Sequence, residues 1–246
     1  DVNATVDDNI ISDSMVSYEP VSYNYYSDSG VIAAPASHTV SSSNYGTYFD
    51  ENGTLKSSSV NSGDTMSLDG TFSDKKFILN KPLNVVGTST NKMQDCTVVL
   101  LKESSGSSVS NLNIANKGTD IQGIFLNEAT KCNIFNNKIN NSGPSSFPIA
   151  LNPGSSYNNI TNNVLATYGA TYGHGSRSTS LIVLGGAHYN YIADNYLYTD
   201  DANGIYLSSY GGGAFVGAIS NYNVLFNNTI IKLSMLQVKI STLMKL

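Results

Sequence analysis

From about residue 47 onward, short apolar pieces alternate with Gly, Asn, Ser and Asp punctuation, as short β-strands separated by turns would. One six-residue pattern recurs: apolar, any residue, Asn or Asp, Asn, any residue, apolar. It reads Ile134-Phe135-Asn136-Asn137-Lys138-Ile139, then Ile160-Thr161-Asn162-Asn163-Val164-Leu165. It returns as Ile192-Ala193-Asp194-Asn195-Tyr196-Leu197 and Leu225-Phe226-Asn227-Asn228-Thr229-Ile230, with a weaker copy at Val109–Ile114. Ahead of the copies run apolar triplets: Val99-Leu100-Leu101, Ile124-Phe125-Leu126, Ile149-Ala150-Leu151, Ile182-Val183-Leu184 and Ile205-Tyr206-Leu207. Alternation places both aliphatics of a triplet on one strand face. Two short strands per repeat, with no helical return between them, predict a solenoid.

The expected fold is therefore all-β, a parallel β-helix of about six coils. Stacking coils every ~4.8 Å lets neighbours satisfy each other's backbone groups. Asn137, Asn163, Asn195 and Asn228 fall at one turn position, where Asn tolerates left-handed backbone and stacked amides can form a ladder. Three regions follow: a Ser/Tyr/Asp-rich leader or linker over 1–46, the β-helix over 47–231, and an apolar, basic segment over 232–246. Leu233, Leu236, Ile240 and Leu243 suit an amphipathic helix capping the last coil, and one further strand is the alternative.

Several stretches resemble archaeal adhesin-like surface proteins, best known from methanogens of the gut. They are Phe77–Gly87, Gly123–Asn127, Ile149–Gly154, Tyr172–Gly175 and Asp200–Tyr210, and the likeness covers about 47–230. The resemblance implies a secreted, wall-associated, right-handed parallel β-helix of the pectin-lyase-like superfamily.

Composition narrows the function classes. Only 13% of the 246 residues are charged, the net charge is −5, and Arg177 is the sole arginine, so a phosphate-tracking nucleic-acid binder is not expected. Thirty residues are Asn, which the repeated turns account for. No run of 18 apolar residues predicts a transmembrane helix. Two cysteines, Cys96 and Cys132, make neither a disulfide framework nor a metal site, so no metal or cofactor is expected. Sequons at Asn3, Asn52, Asn140, Asn159 and Asn227 are compatible with export to the cell surface or wall.

Candidate chemistry gathers at enlarged corners. The stretch 166–181 carries Tyr172, His174 and Arg177; the stretch 208–221 carries Tyr210. The first of these and Asp200-Asp201 lie between an Asn-bearing strand and the next triplet on consecutive coils, so a carboxylate pair, His and Arg meet at one corner. A salt bridge anchoring the loop is the structural alternative. The expected function is an adhesin-like or structural cell-surface protein, binding wall, host or neighbour-cell glycans or surface proteins through Tyr172, His174, Arg177, Asp200, Asp201, Tyr210 and a Tyr-rich face. No catalytic residue is assigned on that reading. The alternative is a polysaccharide lyase or glycoside hydrolase using Asp200, Asp201 and His174. Gly173-His174-Gly175 and Asp200-Asp201 resemble pieces of the polygalacturonase signature, in reversed order and without its other two motifs. A plain spacer rod is a third reading.

Overall fold

Residues 35–56, 58–167, 179–183, 185–199, 203–207 and 219–232 are described by the computed structural model. All belong to the second of two compact units, Ala33–Leu246. This unit is a parallel β-helix. Every strand pairing in its three sheets is parallel, and strands from successive coils lie side by side. A typical coil contains Asn133–Phe135 in sheet I, Lys138–Asn141 in sheet II and Phe147–Leu151 in sheet III. Sheet I holds eight strands, sheet II seven and sheet III six.

The expected two strands per repeat become three, for a local reason. The six-residue motif is not one strand: its third residue adopts left-handed backbone and turns the chain from sheet I into sheet II. Asn111, Asn136, Asn162, Asp194 and Asn227 have φ of 57°, 56°, 56°, 56° and 47°. Asn and Asp visit this region more readily than other side chains do. The left-handed residue is thus the one before Asn137, Asn163, Asn195 and Asn228, not those residues themselves.

Register then fixes the core. Val109, Ile134, Ile160, Ile192 and Leu225 are successive partners in sheet I; Ile114, Ile139, Leu165, Leu197 and Ile230 in sheet II; Val98, Ile124, Ile149, Leu181 and Ile205 in sheet III. Most of these side chains are fully buried, and a one-residue slip would turn a whole row outward.

Inside the corner between sheets I and II, the amides of the second Asn form a continuous chain. Asn137 Nδ2 donates to Asn163 Oδ1 at 3.0 Å, Asn163 Nδ2 to Asn195 Oδ1 at 3.0 Å, and Asn195 Nδ2 to Asn228 Oδ1 at 2.9 Å. Each acceptor oxygen also takes the backbone N–H of the Asn one coil earlier. The remaining amide hydrogens go to the carbonyls of Val109, Ile134 and Ile160. Leu112 ends the series, its N–H donating to Asn137 Oδ1.

The first coil is covered by residues assigned to the leader on sequence grounds, so the boundary at 46 is corrected. Ser37–Val40 is the edge strand of sheet I, paired with Thr65–Leu68. A short helix, Tyr45–Tyr48, leads into a segment that closes the edge of sheet III, with Leu55 N donating to Ile78 O and Ile78 N to Gly53 O. Tyr45, Phe49, Phe72 and Phe77 pack as stacked and edge-to-face rings beneath it. The apolar anchors here, Val40, Tyr45 and Phe49, are too sparse to show a period in the sequence. At the other end, Leu225 and Ile230 occupy core rows yet are 44% and 52% exposed; the expected cap over 232–246 lies, from 233 onward, outside the described residues.

Asp64 fastens the edge strand. Its buried carboxylate accepts the N–H groups of Ala36 and Asn61 at 2.8 Å each and contacts His38 Nε2 at 2.8 Å. Burial pushes this carboxyl up, but the His38 hydrogen bond and the two N–H groups outweigh it and hold it below the usual carboxylate range.

Two outcomes follow. Asn163→Ala strands the Asn137 amide and several backbone partners and lowers unfolding free energy by about 3 kcal/mol in urea. Asn159→Ala, which removes one half-buried amide contact to Asn133, costs less than about 1 kcal/mol. Because Asp64 titrates below its unfolded value, its stabilisation is complete above about pH 4 and disappears as pH falls through the folded pKa. Asp64→Asn should therefore lower stability at pH 6 and flatten its decline below about pH 4, measured by thermal unfolding.

Candidate functional site

The six candidate binding residues, Tyr172, His174, Arg177, Asp200, Asp201 and Tyr210, lie outside the described residues. Their points of attachment do not. The last described residue before 168–178 is Thr167, and the last before 200–202 is Thr199. Thr167 and Thr199 are register partners in sheet II, and both are buried. The segments rejoin at Thr179 and Asn203, register partners in sheet III. Both chains therefore start and finish side by side at the corner between sheets II and III. Exposed aromatics lie on the two strands that meet at this corner, toward their far ends: Tyr196 at the start of the sheet II strand Tyr196–Thr199, 50% exposed beside Val164, and Tyr206 near the end of the sheet III strand Asn203–Leu207, 45% exposed.

A second feature lies at the corner between sheets III and I. Tyr157, Tyr189 and Tyr222 occupy one register position on successive coils. Their rings stack at 4.9 Å between centroids, within 8° of parallel. All three have left-handed backbone, with φ of 60°, 55° and 56°. Behind them runs a second amide chain, Asn158 to Asn190 to Asn223, with Nδ2 to Oδ1 distances of 3.0 and 2.9 Å; it ends on Cys132, whose N–H donates to Asn158 Oδ1. The six-residue motif does not reveal this corner. The signal is the Tyr-Asn pair at 157–158, 189–190 and 222–223, repeating with the same 32- and 33-residue offsets as the main motif.

The tyrosines are not what the turn requires. Gly106 and Lys131 serve the same position in earlier coils, with φ of 86° and 58°. A left-handed placement costs a non-glycine side chain about 1–2 kcal/mol, and there are three. Two stacked pairs return about 0.5–1.5 kcal/mol each. Stacking at best offsets the backbone, and glycine would avoid the penalty altogether.

Other polar features are structurally committed. An open groove of about 820 Å³ lies between the short N-terminal helix and Lys76–Ile78. Within it Asp50 Oδ1 accepts the N–H groups of Asn52 and Thr54, Lys56 Nζ donates to Gly46 O, and Lys75 sits 5.1 Å from the Tyr45 ring centroid. Among the described residues no His/Cys/Asp/Glu group could hold a metal ion, and no helix is long and apolar enough to cross a membrane.

The chain matches no protein-family model and no curated protein. Among solved structures it is similar to catalytic domains of GH87 α-1,3-glucanase. One, a single-substitution variant in complex with nigerose, has 19% identity and a TM-score of 0.39, over 68% of this chain and 40% of that one. Another variant, in complex with tetrasaccharides, has 19% identity and a TM-score of 0.38, over 68% and 41%. The chain thus spans less than half the length of these domains, and the likeness is one of fold. The main functional expectation, an adhesin-like or structural cell-surface protein, is corrected here. The matched structures are glycoside hydrolase domains, the class of the alternative reading, and no archaeal or methanogen origin is shown.

The two thiols are buried and free. Burial pushes Cys96 and Cys132 up to about 11. Since the thiolate is the nucleophile, alkylation by iodoacetamide at pH 8 should be negligible in the folded protein and complete at both sites in denaturant, as read by mass spectrometry.

Proposed function

We propose that this protein is a glycoside hydrolase acting on a polysaccharide. The observation that carries the reading is the pairing of Thr167 with Thr199 and of Thr179 with Asn203, which roots the His174/Arg177 segment and the Asp200/Asp201 segment at one corner. Glycoside hydrolysis asks for little titratable chemistry. Two carboxyl groups suffice, one protonating the departing glycosidic oxygen and the other serving as base or nucleophile on the opposite side of the sugar ring. On this reading Asp200 and Asp201 are that pair, and His174 and Arg177, on the segment mounted at the same corner, set charge and orientation. Tyr172, on the first of these segments, offers an amphipathic ring for a sugar face, with Tyr196 and Tyr206 further along the flanking strands; Tyr210 belongs to the segment between Leu207 of sheet III and Val224 of sheet I, at another corner. A polymer cannot enter a cell, so an extracellular site of action fits the reading.

Hydrolysis is checked by incubating the protein with α-glucans, β-glucans and pectic polymers and measuring new reducing ends. Asp200→Asn and Asp201→Asn should each lower the rate by about 10²–10⁴-fold with the fold intact by circular dichroism. No reducing ends from any polymer, unsaturated products, or rates untouched by both substitutions would contradict the proposal.

A further inference from the structure

The Tyr157–Tyr189–Tyr222 column is separate from that corner, and the fold does not require it. Its residues remain 47%, 42% and 70% exposed, although their rings are stacked within 8° of parallel. Two residues further along each coil comes the outward row of sheet I. There Asn159 Nδ2 donates to Asn133 Oδ1 at 2.9 Å, and Tyr191 and Val224 continue the register. A ridge of ring edges and phenolic hydroxyls thus runs beside a mixed outward row, Asn133, Asn159, Tyr191 and Val224, both advancing one coil at a time. Lys131 is the sole charged residue in these two rows from Lys131 to Val224. Tyr222 adds a ring whose far face no described ring covers.

We infer that this face is a second glycan-binding site, taking a neutral polysaccharide laid along the coil axis. The chemistry is that of an uncharged polyol. Phenolic hydroxyls and the Asn159 amide offer hydrogen bonds along the column, the ring edges and the far face of Tyr222 offer apolar contact, and tyrosine loses little entropy on binding. A polyuronate would call for more cations than the single Lys131 of these rows, and a stable protein interface for a patch of about 800 Å² per partner, not one column of rings. The inference rests on the reading of the protein as polysaccharide-active and assigns the column to holding the polymer, not to cleaving it.

The test is affinity electrophoresis in gels containing soluble neutral glucans, α- or β-linked, or polygalacturonate. Asn tolerates left-handed backbone, so a triple variant, Tyr157→Asn, Tyr189→Asn and Tyr222→Asn, keeps the turn; circular dichroism and thermal unfolding check its fold. The expected result is retardation of the unmodified protein by a neutral glucan and at least a tenfold weaker apparent affinity in the folded triple variant. Retardation equal in the two proteins, retardation by polygalacturonate alone, or none at all overturns the inference. Retardation lost in the triple variant while no polymer is hydrolysed overturns the catalytic proposal and leaves this one standing.

Discussion

Everything in this molecule depends on a side-chain amide that hydrogen-bonds one coil up and one coil down. A parallel β-helix must turn its chain three times per coil without leaving buried N–H and C=O groups unpaired. The corners between sheets I and II solve this with two consecutive residues. The first, such as Asn136 or Asn162, takes the left-handed conformation and faces out; the second, such as Asn137 or Asn163, turns inward. Its oxygen receives two hydrogens from one neighbour, and its nitrogen serves the other neighbour and a carbonyl. In a dry corner each such group is costly to leave unmade, so the amides hold register as firmly as the aliphatic rows do.

This explains how so weakly charged a chain folds, and which parts of the fold were legible in its sequence. Ile134, Ile160, Ile192 and Leu225 could be aligned because every coil repeats the same inward step. The strand count could not be read from the motif, because a left-handed Asn within six residues looks like an ordinary strand interruption. The corner between sheets III and I was hidden for a different reason. There the turning residue is Gly106, Lys131 or a tyrosine, types with no shared turn propensity, and the Tyr-Asn pair recurs only from Tyr157 onward. The covering of the first coil was hidden too, since Asp64, His38 and Tyr45 act once each and nothing repeats them.

The candidate site was legible as a juxtaposition. Sequence spacing places Asp200 and Asp201 at the corner that also carries His174 and Arg177, and the coil stack pairs the residues on which both segments are mounted. Fold likeness adds no residue roles. On the proposed reading the hydrolytic chemistry falls to Asp200 and Asp201, in a chain with few charges. At the tyrosine column the exposed groups are rings with phenolic hydroxyls, and the amide chain Asn158, Asn190 and Asn223 runs behind them. A sugar polymer is the ligand proposed for both places.

The most direct measurement of this account is amide hydrogen exchange with and without a neutral oligosaccharide long enough to span several coils. The account predicts slowed exchange in two separate places: the strands 164–167, 196–199 and 203–207 that carry the candidate corner, and the turns at Tyr157, Tyr189 and Tyr222. Protection confined to the N-terminal groove, or none at any concentration of sugar, would contradict it.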